Sequence, residues 1–297
     1  MRTDFRDVFL ADTNVTRNLQ DIISSGAPVI QSRREKRKPD LGTSMYQYIR
    51  KETRSTIHTD KDIYEGLREM VHGKEEQREE QTKVEVYNVA NIDKEKLEKR
   101  AKNRAKDIKH LLPKDYIPKT YLDIGCGDGS ITSAIASMYD IPKKKAFGID
   151  EREITDNTSF TFHKSEGETS DLSFLKDKSV DLVTAIMSLH HVKDIKGMMK
   201  EISRVVKPGG YVIIREHDVT SPDFSIILNI MHGLYALVWS NPMEDPDFLE
   251  TYYASYKSDK EWRALFSSFG FQWVRNNDES PDKNHCRYYY SVFQRKN

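Results

Sequence analysis

Tyr121-Leu122-Asp123-Ile124-Gly125-Cys126-Gly127-Asp128-Gly129-Ser130 is the stretch on which the reading of this chain turns. Tyr121, Leu122 and Ile124 are strand formers. Gly125, Gly127 and Gly129 fall at alternate positions, so no side chain crowds a ligand lying over the turn. From Ser130 onward Ile131, Ala134, Ile135 and Met138 recur at i, i+3, i+4 and i+7, the spacing of a helix face. A helix N-terminus behind such a turn offers N–H groups to a ligand carboxylate or phosphate.

Downstream the style is alternating strand and helix. Strands are expected at 120–124, 145–150, 160–163, 180–187 and 211–215, with helices at 130–139 and 195–206. Lys207-Pro208-Gly209-Gly210 ends the second helix. A last helix over 258–269 has Ser258 as N-cap and Glu261 three residues on. Gly270 closes it, and 271–275 and 287–293 read as two final strands. The alternation implies a mostly parallel sheet with helices on both faces. Between Glu216 and Lys257 it is interrupted by an apolar, aromatic-rich stretch. An insertion at the carboxyl edge of a parallel sheet lies where ligands bind, so 219–256 is expected to form a lid.

Upstream, residues 1–118 read as a mainly helical, partly flexible extension. A helix is expected over 93–112, where Leu97, Ala101, Ala105, Ile108 and Leu112 are spaced by three or four. Helical pattern also appears over 43–72. Arg33-Arg34-Glu35-Lys36-Arg37-Lys38 is either a solvated loop or a contact for nucleic acid. The 297 residues hold 47 basic and 47 acidic side chains, so net charge makes no case for a polyanionic partner. Its distribution is uneven: 25 basic against 21 acidic in 1–118, and 22 against 26 in 119–297. Two cysteines, Cys126 and Cys286, fit a reducing compartment and suggest neither a disulfide scaffold nor a metal site. No run of 18 apolar residues predicts a membrane span. The N-terminus lacks the apolar core of a secretory signal. The expected location is the cytoplasm, with the nucleus as the alternative.

Asp150 ends the second strand, 25 residues after Gly125. A carboxylate there accepts hydrogen bonds from both hydroxyls of a ribose, so turn and acid together point to an adenosine-type ligand. Further segments follow in order: Gly148-Ile149-Asp150, Asp171-Leu172-Ser173-Phe174, Val180-Asp181-Leu182-Val183, Ser188-Leu189-His190-His191-Val192 and Val206-Lys207-Pro208-Gly209-Gly210. With the opening turn, these make residues 119–296 resemble a class I S-adenosylmethionine-dependent methyltransferase, methyltransferase type 11-like. The resemblance does not extend to 1–118. It implies a Rossmann-like seven-stranded sheet whose last strand is antiparallel. It implies S-adenosylmethionine as donor and S-adenosylhomocysteine as product. Backbone contacts are implied at Gly125, Cys126 and Gly127, a methionine-amino contact near Asp123, and a ribose contact at Asp150. Glu168, where such proteins more often have Asp, is placed at the adenine amino group, and Met187 and Ser188 beside the sulfonium.

Methyl transfer from a sulfonium is an in-line displacement, and alignment supplies much of the rate. A base is required only when the nucleophile must lose a proton. The candidates are His217, flanked by Glu216 and Asp218, then Glu216 itself and His190; the cluster at 216–218 is equally readable as holding the loop after strand five, and His190 reads more readily as structural. The motifs of amide and adenine-N6, cytosine-C5 and ribose 2′-O methylation are absent. The acceptor is therefore a small molecule or a nucleotide within RNA. An RNA or cap enzyme using the basic N-terminal arm, and a non-catalytic subunit docking a protein through its N-terminal helices, are the alternatives.

Overall fold

The computed structural model describes residues 94–151, 153–154, 159–165, 171–222, 224–225, 228–229, 232, 252–278 and 288–296. Contacts divide the chain into two units, one comprising Ile92–Asp218 with Ser255–Asn297, the other Met1–Asn91 with Val219–Ala254. In the second unit Tyr252 Oη donates to Asn229 Oδ1 (3.0 Å), and His232 Nδ1 meets Leu228 O (2.8 Å). The basic patch at 33–38, the helical pattern at 43–72, most of the 219–256 insertion and Glu168 lie outside the described residues.

The first unit is built from α1 (Lys94–Leu111), β1 (Tyr121–Ile124), α2 (Ser130–Met138), β2 (Ala146–Asp150), β3 (Thr161–Lys164), β4 (Val180–Ile186), α3 (Ile195–Val205), β5 (Val206–His217), α4 (Asp259–Ser268), β6 (Phe271–Asp278) and β7 (Tyr288–Arg295). The strands form one sheet in the order β3-β2-β1-β4-β5-β7-β6. β1 to β5 pair in parallel, and β7 runs antiparallel to both β5 and β6. This is the expected Rossmann-like sheet. The chain leaves β1 towards β2 and β3, then returns to β4 on the other side. That reversal opens a crevice beyond the carboxyl ends of β1 and β4.

Strand periodicity sorts the side chains into two layers. Tyr121, Leu182 and Ile213 pack under α1 and α2 with Ala105, Ile108, Ile135 and Ala136. Leu122, Val183, Val212 and Ile214 pack under α3 and α4 with Met198, Ile202, Trp262 and Phe266. α1, which precedes the resemblance, thus contributes to the same core. Arg275 of β6 donates to Leu111 O at its last turn.

β5 is longer than its apolar run indicates. Val206 already pairs with Val180, and after a register shift Tyr211 pairs with Leu182. Pro208-Gly209-Gly210 is therefore a bulge within the strand rather than the gap before it. On the other face Arg204 of α3 ties down the loop before β4. It donates to Leu172 O (2.9 Å), Leu175 O (2.8 Å), Asp177 Oδ1 (2.8 Å) and Glu201. Glu201 in turn accepts from Leu172 N (3.2 Å).

α4 begins with the expected capping box: Ser258 Oγ accepts from Glu261 N, and Glu261 Oε2 accepts from Ser258 N (2.8 Å). Replacing Ser258 with alanine is expected to lower stability by about 1 kcal/mol. Urea unfolding should show this as a lower midpoint at unchanged slope.

Candidate functional site

The glycine turn is fastened to the end of β2. Gly125 N and Cys126 N both donate to Ile149 O (2.9 and 3.0 Å), and Gly129 N donates to Cys126 O (2.9 Å). The turn's backbone is left-handed at Gly125 (φ 72°) and Gly127 (φ 55°), a region L side chains rarely adopt. The two glycines serve different ends. A Cβ at Gly125 would lie 2.3 Å from Ser188 Cβ, so the end of β4 can close on the turn only if residue 125 has no side chain. A Cβ at Gly127 would meet no heavy atom within 4 Å. Space is open over Gly127, and Gly127 N donates to Asp150 Oδ2 (2.7 Å) at the edge of that space. The sequence-predicted pair of turn and acid is thus brought into direct contact.

Asp123 is placed differently from Asp150. It is 3% exposed and lies beneath the turn. Thr132 Oγ1 donates to its Oδ2 and Thr184 Oγ1 to its Oδ1, both at 2.6 Å. Tyr121 Oη is 2.6 Å from Thr184 Oγ1. Since Thr184 gives its proton to the carboxylate, Tyr121 is the donor to Thr184. The chain of hydroxyls ties β1 to α2 and β4, directly under the crevice. Burial raises the Asp123 carboxyl to about 6, against the opposing effect of its hydroxyl partners. Cys126 also faces inward. Its side chain belongs to the core, and burial pushes its thiol up. Its contribution to the turn is its backbone N–H.

The other wall is the end of β4. Met187 has φ 59°, an uncommon conformation for a residue with a side chain. Met187 N donates to Arg215 O (2.8 Å), which draws it to β5. Ser188 Oγ donates to Ile124 O (2.6 Å), which draws the next residue to β1. Leu189–His191 then form a 3-10 turn.

The candidate base residues gather behind that turn. His190 Nδ1 lies 2.6 Å from Glu216 Oε2, with the two side chains 0% and 1% exposed. Tyr256 stacks on His190, with centroids 5.2 Å apart, and Ser255 N donates to His190 O (2.7 Å). His217, the last residue of β5, lies 5.9 Å from the His190 ring and 4.7 Å from the ring of Tyr288. Arg215 lies over the Tyr288 ring at 4.1 Å. Burial raises the Glu216 carboxyl to about 7, with His217 and His191 pulling the other way. Burial also holds His190 well below the usual imidazole range, helped by His191 and Lys257. Glu216 and His190 therefore form one buried pair, while His217 stands beside it among aromatic rings.

Thr132 and Thr184 were not singled out by the sequence reading. Thr184 carried a signal: it is the one hydroxyl in the apolar run of β4.

The methyltransferase-domain family profile matches residues 96–276. An uncharacterized methyltransferase of Schizosaccharomyces pombe is 31% identical over 123 residues, 36% of this chain and 43% of that protein. The sterol 24-C-methyltransferase erg6 of Aspergillus fumigatus is 34% identical over 98 residues, 30% of this chain and 25% of that protein. A demethylmenaquinone methyltransferase of Staphylococcus aureus is 26% identical over 166 residues, 52% of this chain and 68% of that protein. The chain thus spans less than half the length of the first two relatives.

Proposed function

The chain belongs to the class I S-adenosylmethionine-dependent methyltransferases, and from that premise we propose that it moves a methyl group from S-adenosylmethionine to a small-molecule or RNA acceptor. One observation carries the reading. The open space over Gly127 is bordered by the Asp150 carboxylate, 2.7 Å from Gly127 N. A ribose diol satisfies such a carboxylate, and a side chain at 127 would fill the space it needs. The residues present therefore fit the donor.

When bound, the sulfonium supplies an electrophilic methyl group. Asp150 holds the ribose, Glu168 the adenine amino group, and the backbone of Gly125 to Gly127 the amino-acid end. Asp123 and its hydroxyl chain keep the turn in place from beneath. Met187 and Ser188 flank the reacting centre. The His190–Glu216 pair takes the proton of an acceptor that must lose one, and His217 orients the acceptor beside Tyr256 and Tyr288. The names of the relatives, a sterol and a demethylmenaquinone enzyme, support a small-molecule acceptor.

The test is incubation with radiolabelled S-adenosylmethionine and separate fractions of RNA, protein and small metabolites. Label should enter one fraction and be lost with Asp150→Ala, whose affinity for S-adenosylhomocysteine should fall at least tenfold. Donor binding equal in parent and Asp150→Ala would refute the donor site. Donor binding without label in any fraction would favour a non-catalytic subunit.

A further inference from the structure

The described lysines are concentrated away from the crevice. α1 descends along the sheet: Arg104 reaches Tyr290 Oη (3.1 Å), which pairs with Arg215 near the carboxyl end of β5. Just past the helix, Tyr116 meets the Tyr211 ring and donates to Asp181 O (2.6 Å) at the amino end of the sheet. Lys99, Lys102, Lys106 and Lys109 lie on the exposed face of this helix. At 3.6 residues per turn they form one stripe, about 15 Å long. The last turn of α1 is held by Arg275 of β6, and beyond it the chain crosses the amino edge of the sheet past Asp181 to β1. There Lys114, Lys119, Lys178 and the three lysines of the turn Lys143–Lys145 are exposed.

Most nearby acids are engaged: Glu98 with Lys102, Asp107 with Arg104, Asp177 with Arg204 and Asp181 with Lys207. Asp115 and Asp140 are also exposed there. Lys99, Lys106, Lys109 and the lysines of the edge have no ion-pair partner among the described residues. A linear array of exposed lysines matches a chain of phosphates better than a single anion. It turns a corner, from the helix face to the end of the sheet. A stiff duplex cannot follow that corner, and a flexible single strand can.

We infer that the outer face of α1 and the amino edge of the sheet form a docking surface for the phosphate backbone of single-stranded RNA. The surface is distinct from the basic stretch at 33–38 and from the crevice. It adds weight to the RNA branch of the proposed function, but docking stands or falls independently of donor binding.

The probe is a fluorescein-labelled oligouridylate of twenty nucleotides, titrated with the full chain at about 50 and 200 mM salt. Two variants test the surface, Lys99→Glu/Lys106→Glu/Lys109→Glu and Lys143→Glu/Lys144→Glu/Lys145→Glu. Each should weaken binding at least tenfold and flatten the salt dependence by about 2 log units per log unit, at roughly 0.7 for each phosphate no longer neutralised. The control Lys196→Glu/Lys200→Glu/Lys260→Glu, on exposed positions of α3 and α4, should bind as the parent does. S-adenosylhomocysteine affinity should be unchanged in all three. Parent-like RNA binding by both test variants overturns the inference, as does an equal loss in the control. A parent that ignores the oligonucleotide, or prefers phosphatidylserine vesicles, overturns it too.

Discussion

Gly125→Ala and Gly127→Ala, two residues apart, are expected to fail in different ways. Gly125→Ala should be poorly folded. Its Cβ would lie 2.3 Å from Ser188 Cβ and 2.9 Å from Ser188 Oγ, and because a Cβ is fixed to its backbone, rotating the Ser188 side chain cannot relieve the clash. Ser188 cannot step aside without giving up its hydrogen bond to Ile124 O. Overpacking costs about 1–3 kcal/mol, and a side chain in the left-handed region adds about 1–2 kcal/mol. Together, at about 2–5 kcal/mol, these remove a large share of the about 5–15 kcal/mol that holds an ordinary domain together. Gly127→Ala bears only the second cost, because nothing lies within 4 Å of the new methyl group. It should fold, with a melting temperature lower by a few degrees, and yet lose at least tenfold in affinity for S-adenosylhomocysteine. Thermal melts with and without S-adenosylhomocysteine separate the outcomes: the ligand should raise the melting temperature of the parent and hardly move that of Gly127→Ala. A Gly127→Ala protein stabilised by the ligand as much as the parent would show that the space over residue 127 is not where the donor lies.

The fold was largely legible because its signals are local. Leu122, Ile124, Val183 and Ala185 are apolar runs bounded by turns, and Ser258 with Glu261 marks a helix start within four residues. The long β5 was not legible. Pro208-Gly209-Gly210 reads as a break, and only the neighbouring β4 shows that Val206 is already paired. At the site, Asp150 and Gly127 were readable because strand ends and turns dictate their placement. Asp123 was readable as an important acid but not as a buried one. Its partners Thr132 and Thr184 come from different elements, nine and 61 residues away. The pairing of His190 with Glu216, rather than a lone His217, likewise depends on β4 and β5 lying side by side. The Lys99–Lys109 stripe was visible as a polar helix face. Its continuation on the far edge of the sheet required the topology.

The second large effect concerns pH and the buried pair. Glu216→Gln keeps the shape of the side chain, and its amide, with both a donor and an acceptor, can still pair with His190 Nδ1 in either tautomer, so the Leu189–His191 turn should hold. What it removes is a titration. In the parent, burial raises the Glu216 carboxyl from 4.5 to about 7. The folded chain therefore keeps a proton there that the unfolded chain has lost. That contribution to stability is fully present below about 4.5 and is lost as pH rises through about 7. His190 has the opposite sign: its folded value lies well below 6.5, so stability is lost as pH falls below 6.5. Over much of pH 4.5–6.5 the two slopes oppose each other, and between 6.5 and 7 that of Glu216 stands alone. The variant retains only the His190 slope. Relative to the parent, Glu216→Gln should thus gain stability from pH 5 to about pH 7 and level off by pH 8. The raised Asp123 carboxyl is common to both proteins and cancels in the difference. Urea midpoints at pH 5, 6, 7 and 8 measure this directly. A variant-minus-parent difference that is flat or falls with pH would mean that Glu216 is ionised in the folded chain throughout. The pair would then carry a standing negative charge behind Ser188, instead of acquiring it only near neutral pH, where a proton acceptor is most useful.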